Sequence, residues 1–134
     1  MGNFFLDNQD IQFLFDHIIG YDDIAATELF AEAPGDMASA VLTEAGKMCE
    51  DKLAPSHRDG DLTPAVLENG VVRTSPGYAE GYRAIADGGW ISISADPEPG
   101  GMGLPMTVTT AGNEMRCAAC LWLRLTQLMT QGQC

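Results

Sequence analysis

Hydrophobic residues recur at helical spacing in several separate stretches of the chain. Residues 10–20 are apolar at Ile11, Leu14, Phe15, Ile18 and Ile19, the i, i+3, i+4, i+7, i+8 stripe of an amphipathic helix. Asp10 is placed to cap its start and Gly20 its end. His17 falls on the polar flank and reads as a surface histidine rather than a ligand. A second, short helix is expected over residues 22–30, and AEAPGD then breaks the pattern. Residues 36–53 predict a third helix, with Met37, Val41, Ala45, Met48 and Cys49 on one face and Asp36 at its N-cap. Pro55 is expected to stop it.

Residues 56–74 are polar and read as a long connector with a turn at Glu68-Asn69-Gly70. A fourth helix should follow, with Ser75 as N-cap, Pro76 at its first position and Gly88-Gly89 at its end. Its apolar face would hold Tyr78, Tyr82, Ile85 and Ala86. WISISA at residues 90–95 alternates like a strand but has no partner strand, so no sheet is assigned. Residues 106–132 predict a final helix opened by Pro105. Ala111, Met115, Ala118, Trp122, Leu125 and Met129 form its stripe. Around CAACLWL the apolar residues cover every side, which predicts burial. Arg116 and Arg124 are awkward there, because a buried guanidinium needs a partner. Either they reach an edge or they pair with something outside the chain. The pattern as a whole predicts an all-α fold of four to six helices without a substantial sheet.

Composition narrows the function. The chain has 134 residues, enough for one domain with a modest core, and is 46% hydrophobic and 19% charged, which is globular rather than disordered. Its net charge of −12 disfavours nucleic acid and anionic membrane surfaces as partners. No apolar run reaches the length of a transmembrane helix. MGNFFLDNQD lacks the basic region of a secretory signal, and Leu6 stands where N-myristoylation wants Ser or Thr. Four cysteines, Cys49, Cys117, Cys120 and Cys134, include a single C-x-x-C with no second pair to complete a zinc site. No metal site is expected. Cys117 and Cys120 read as packing residues sharing a helix face, and a reducing, cytoplasmic setting suits them.

DPEPGGMGLP, residues 96–105, concentrates three glycines and three prolines between two apolar runs. A phosphate cradle would need backbone amides converging at a helix start. This stretch does precede a helix, but it lacks the P-loop lysine and the G-x-G-x-x-G spacing. The competing reading is a sharp corner between packed helices, with glycine supplying positive φ.

With GGW at residues 88–90 before it and NEM at residues 113–115 after it, this corner resembles the N-terminal helical domain of acyl-CoA dehydrogenases. DIQFLFDHIIGYD, LAPSHRDGD, ENGVVRTSPGYAEGYRAIADGGW and LMTQGQ resemble, in order, the large bacterial branch that includes the 3-methylmercaptopropionyl-CoA dehydrogenase type. Pro99 replaces the aromatic expected before the double glycine, and Asn113-Glu114 replaces an acidic pair. The T-E-P-x-A-G-S-D motif and the catalytic glutamate of the family do not occur in these 134 residues.

The resemblance implies an N-terminal helical extension over residues 1–35 and an incomplete N-terminal domain over residues 36–134. It implies an FAD-dependent oxidation of acyl-CoA thioesters to 2-enoyl-CoA in fatty acid metabolism, by a homo-oligomer. A carboxylate base takes the α-proton while the β-hydrogen leaves as hydride to the flavin. No catalytic and no cofactor-binding residue is expected within this chain, nor is FAD expected to stay bound to it alone. Its contribution would be interdomain packing and an acyl-pocket wall at Leu125, Leu128 and Met129. The alternative is a stand-alone helical binding or oligomerisation module.

Overall fold

A computed structural model describes residues 4–128. The elements run α1 (Gln9–Leu14), a π turn (Phe15–Ile19), α2 (Tyr21–Ala25), a 3-10 turn (Glu28–Phe30), α3 (Gly35–Met48), a second π turn (Cys49–Leu53), α4 (Ala54–Leu62), β1 (Val66–Glu68), β2 (Val71–Arg73), α5 (Tyr78–Asp87) and α6 (Met106–Leu125). The expected all-α class forms. Among the described residues the only sheet is the antiparallel pair β1–β2.

The core lies where α3 and the second π turn meet α5 and α6. Ala38, Leu42, Ala45, Cys49 and Leu53 line one side; Ile85, Val108, Ala111, Met115, Ala119 and Leu123 line the other. Small residues set this face. Ala38 and Ala45 are almost fully buried, whereas Met37, expected in the core, is 46% exposed. Val41 and Met48 pack at the rim. Side-chain hydrophobicity alone points to the methionines; close approach of α3 and α6 favours alanine and glycine instead. Gly81 does the same for α5, since a Cβ there would press on Leu123 of α6.

The third helix does not stop at Pro55. In the π turn the Ala54 N–H bonds to the Cys49 carbonyl, so the hydrogen-bond register widens just ahead of the proline. Pro55 then falls at the start of α4, where its missing N–H is tolerated. The chain stays helical from Gly35 to Leu62. The first half of the expected connector is therefore α4, whose only buried residue is Ser56. A helix so polar carries no stripe to read. The second half is the hairpin, and its turn at Asn69 (φ 52°) and Gly70 (φ 77°) has the two positive φ values of a type I′ turn.

The other helices differ from expectation mainly at their ends. α1 has Asn8 at its N-cap, with Asp10 inside the first turn. Its π turn ends on Gly20 in the left-handed region, as expected. The expected second helix is interrupted at Thr27, which is extended (ψ 149°). α3 begins at Gly35 with Pro34 at the N-cap, and Asp36 accepts only from the Met37 N–H (2.9 Å). α5 starts after Gly77 (φ 78°), not at Ser75-Pro76. Ser75 is buried there, and Tyr82 and Ala86 point outward while Gly81 and Ile85 face the core. The helix ends as expected at Gly88-Gly89. The Gly89 N–H bonds to the Ala86 carbonyl and the Trp90 N–H to the Ile85 carbonyl, a Schellman closure with Gly89 at φ 70°.

Candidate functional site

The corner after α5 decides between a phosphate cradle and a rigid turn. The amides of Gly100, Gly101, Met102, Gly103 and Leu104 bond to the carbonyls of Pro97, Asp96, Ser92, Ala95 and Ile93 at 2.9–3.0 Å. Five consecutive donors are spent inside the corner, so none converges on a ligand. The WISISA segment is not a strand: it runs as successive turns, and its Ser92, Ile93 and Ala95 carbonyls accept three of these bonds. Glycine is required sterically as well: a Cβ at Gly101 would collide with the Ala95 carbonyl, and Gly100 and Gly103 have φ of 102° and 63°. The stretch is a closed corner that delivers the chain to α6.

Arg116 locks that corner to α6. Its side chain is 1% exposed. Nη1 donates to the Trp90 carbonyl (2.6 Å) and Nη2 to Asn113 Oδ1 (2.5 Å). The expectation that Arg116 reaches an edge or an outside partner is thus corrected: neutral oxygens of the same chain receive it. Burial, reinforced by the charge of Arg124, pushes its pKa down to about 10, against opposing contributions from Cys49 and Cys117. Arg124 is also buried.

α6 is not apolar and buried all round. It breaks at Cys120, whose backbone is extended (φ −159°, ψ 96°). Ala111 and Met115 of the expected stripe face the core, but Ala118 and Trp122 face out. Beyond the break Leu123, Arg124 and Gln127 turn inward, while Leu121, Trp122, Leu125 and Leu128 turn outward, at 44, 55, 41 and 47% exposure. Leu125 and Leu128, the two describable members of the expected acyl-pocket wall, therefore share an outward apolar face. Met129 lies outside the described residues.

The same break separates the C-x-x-C. Cys117 is exposed and Cys120 buried, so the two do not share a face. Cys120 Sγ lies 3.9 Å from Ser56 Oγ, and its contact with Tyr78 adds to the burial that raises the tyrosine pKa. Burial pushes the Cys49 thiol up to about 12, with Arg116 acting against and Glu50 with it. A thiol held protonated is a packing group, not a nucleophile. His17 is exposed and lies edge-on to Phe13, with ring centroids 4.9 Å apart. Among the described residues no cluster of His, Cys, Asp or Glu could hold a metal, and no helix is long and apolar enough to cross a membrane.

A feature missed in the sequence is an open groove of about 260 Å³ between α1 with its π turn and the start of α6. Ile11, Leu14, Phe15 and Ile19 form one wall; Met106, Thr107, Thr110, Ala111 and Glu114 form the other. Its signal is the amphipathic stripe of residues 10–20 itself. Only Phe15 is fully buried, while Leu14, Ile18 and Ile19 stay 44, 67 and 42% exposed.

No family model matches the chain. It is 37% identical over 124 residues to the 3-methylmercaptopropionyl-CoA dehydrogenase of Ruegeria pomeroyi, a match covering 92% of this chain and 21% of that protein. It is 26% identical over 99 residues to the broad-specificity linear acyl-CoA dehydrogenase of Mycobacterium tuberculosis, covering 72% of this chain and 16% of that protein. The chain is therefore a relative of the acyl-CoA dehydrogenases. It spans about a fifth of the length of the curated relatives it matches.

Proposed function

We propose that these residues form the N-terminal helical part of an FAD-dependent acyl-CoA dehydrogenase, with residues 1–35 as an extension and residues 36–134 as the domain proper. The reading rests above all on the match that runs through 92% of the chain at 37% identity. The closed corner and the outward face of α6 support it. In this role the chain walls and packs rather than reacts.

The glycine corner and the groove do not fit FAD. A pyrophosphate needs free backbone donors or cations, and the corner's amides are spent while Arg116 is turned inward. The groove is apolar and carries a carboxylate, Glu114. No step through the flavin is derived from this chain. Its contribution to an acyl-CoA oxidation would be the apolar face of Leu125 and Leu128, which would keep water from an acyl chain. A cytoplasmic homo-oligomer remains the expected setting.

The test is a hybrid in which residues 1–134 replace the matching segment of the Ruegeria pomeroyi enzyme. A yellow hybrid that oxidises an acyl-CoA supports the reading. A folded, flavin-loaded hybrid without acyl-CoA activity contradicts it. A second reading, a stand-alone binding module, is favoured by one observation: both walls of the α1–α6 groove belong to this chain.

A further inference from the structure

An asparagine or aspartate directly precedes a glycine at Asp59-Gly60, Asn69-Gly70 and Asp87-Gly88. Such a pair can react with itself. Glycine leaves its backbone nitrogen unshielded, and that nitrogen can close a five-membered ring on the carbonyl carbon of the preceding side chain. The fold separates the three pairs. Gly60 lies inside α4, where a Cβ would run into the Tyr78 hydroxyl. The Gly88 N–H is bonded to the Ala84 carbonyl (3.2 Å) at the end of α5. Asn69 and Gly70 are different. The ladder pairs Glu68 with Val71 and leaves both out. Both are exposed, and a Cβ at Gly70 would meet no atom within 4 Å. Two further asparagines are held: Asn113 Oδ1 accepts from Arg116 Nη2 (2.5 Å), and Asn8 Oδ1 is buried.

We propose that Asn69 is a site of spontaneous covalent modification, at which the Gly70 backbone nitrogen condenses on the Asn69 side chain, releases ammonia and leaves aspartate or isoaspartate. The Gly70 nitrogen gives its proton to hydroxide and attacks Asn69 Cγ. The N–Cγ bond forms, the Cγ–Nδ2 bond breaks, and Nδ2 takes a proton from water and leaves as ammonia. Water then opens the succinimide ring at either of its carbonyls. In a type I′ turn ψ at the first central residue is about +30°, which points the Gly70 nitrogen away from Asn69 Cγ. The ring therefore closes when the hairpin opens. Opening is easy here: all six ladder residues are exposed, and a lone two-stranded sheet is marginal in water. The Arg73–Glu68 ion pair across it (2.6 Å) is exposed too and holds it only weakly. Isoaspartate carries the main chain through Cβ, one carbon longer, so the two-residue turn no longer reforms and the opening becomes permanent. This goes beyond the family reading and is independent of flavin, acyl-CoA and turnover, so either can fail alone.

The experiment incubates the 134-residue chain in mildly alkaline buffer and maps its tryptic peptides by mass spectrometry. The peptide of residues 59–73 should convert, with the change at position 69 and isoaspartate among the products. The whole chain should gain one negative charge on its −12. Asn8 and Asn113 should stay intact. Unfolding the chain in urea should speed the change at Asn69 severalfold. Asn69→Gln should abolish it, because a six-membered ring closes far more slowly, and an unchanged helical circular dichroism signal verifies that this variant folds. An Asn69 still intact when a free peptide of the same sequence has converted fully would overturn the proposal. So would equal conversion at Asn8 or Asn113, a change that persists in Asn69→Gln, or a rate that urea leaves unaltered.

Discussion

Arg116 Nη1 sits 2.6 Å from the carbonyl oxygen of Trp90, so one buried guanidinium ties the middle of α6 to the residue that leaves α5. Both elements flank the glycine corner. The bond is charge-assisted on one side and neutral on the other, and nothing polar replaces it if it is removed. Arg116→Ala should therefore cost about 3 kcal/mol, by loss of the bond and of the filled volume. Arg116→Met, which keeps the stem without the desolvated charge, should cost less. Urea unfolding of the two variants checks the order; equal and small losses would show that the clamp does not matter.

The corner makes a sharper steric prediction. Gly101→Ala places a methyl group against the Ala95 carbonyl and should cost about 2–4 kcal/mol. Gly70→Ala meets no atom within 4 Å and faces only the strain of its positive φ, about 1 kcal/mol. Thermal denaturation of both distinguishes a packed corner from a merely flexible one.

This corner was legible in the sequence because glycine and proline act locally: the positive φ at Gly89, Gly100 and Gly103 follows from residue type. The class of the fold was legible for a similar reason, since a stripe of period 3.6 needs only its own helix. What was not legible came from neighbours. α4 follows α3 through a π turn, and no stripe marks a polar helix that begins as another's extension. The stripe of residues 10–20 marks an amphipathic helix but not what its apolar face meets: Leu14 and Ile19 line a groove, because burial depends on what covers a face. Likewise the break at Cys120 rotates the end of α6 and reassigns Trp122 and Leu125 from inside to outside. Leu125 and Leu128, which the family resemblance gives as a pocket wall, turn outward beyond this break.

Cys49 should shape the alkaline stability. Its thiol titrates near 9.0 when unfolded and about 12 when folded. Between those values the folded state holds the extra proton, so the stabilisation is full below pH 9 and is lost as pH rises toward 12. The slope is about 1.4 kcal/mol per pH unit at most. Cys49→Ala should flatten the decline between pH 9 and 12 measured by urea titration. An unchanged slope would mean that the thiol titrates normally.

The outward face of α6 predicts a dissociation between stability and stickiness. Leu125→Asp and Leu128→Asp should alter the stability of the isolated chain by less than about 1 kcal/mol, since both residues are already half-exposed. The unsubstituted chain should bind a hydrophobic dye or self-associate, and the double variant should do so less. A dye-silent monomer would argue that this face covers nothing.

The measurement that tests the central claim most directly is anaerobic flavin reduction in the Ruegeria pomeroyi hybrid carrying residues 1–134. With acyl-CoA added, the hybrid's flavin should bleach, and Leu125→Asp with Leu128→Asp should weaken acyl-CoA binding while leaving the flavin bound. If the folded, yellow hybrid is not reduced by any acyl-CoA, or if the double variant is reduced at unchanged substrate concentration, the chain does not wall the pocket of an acyl-CoA dehydrogenase.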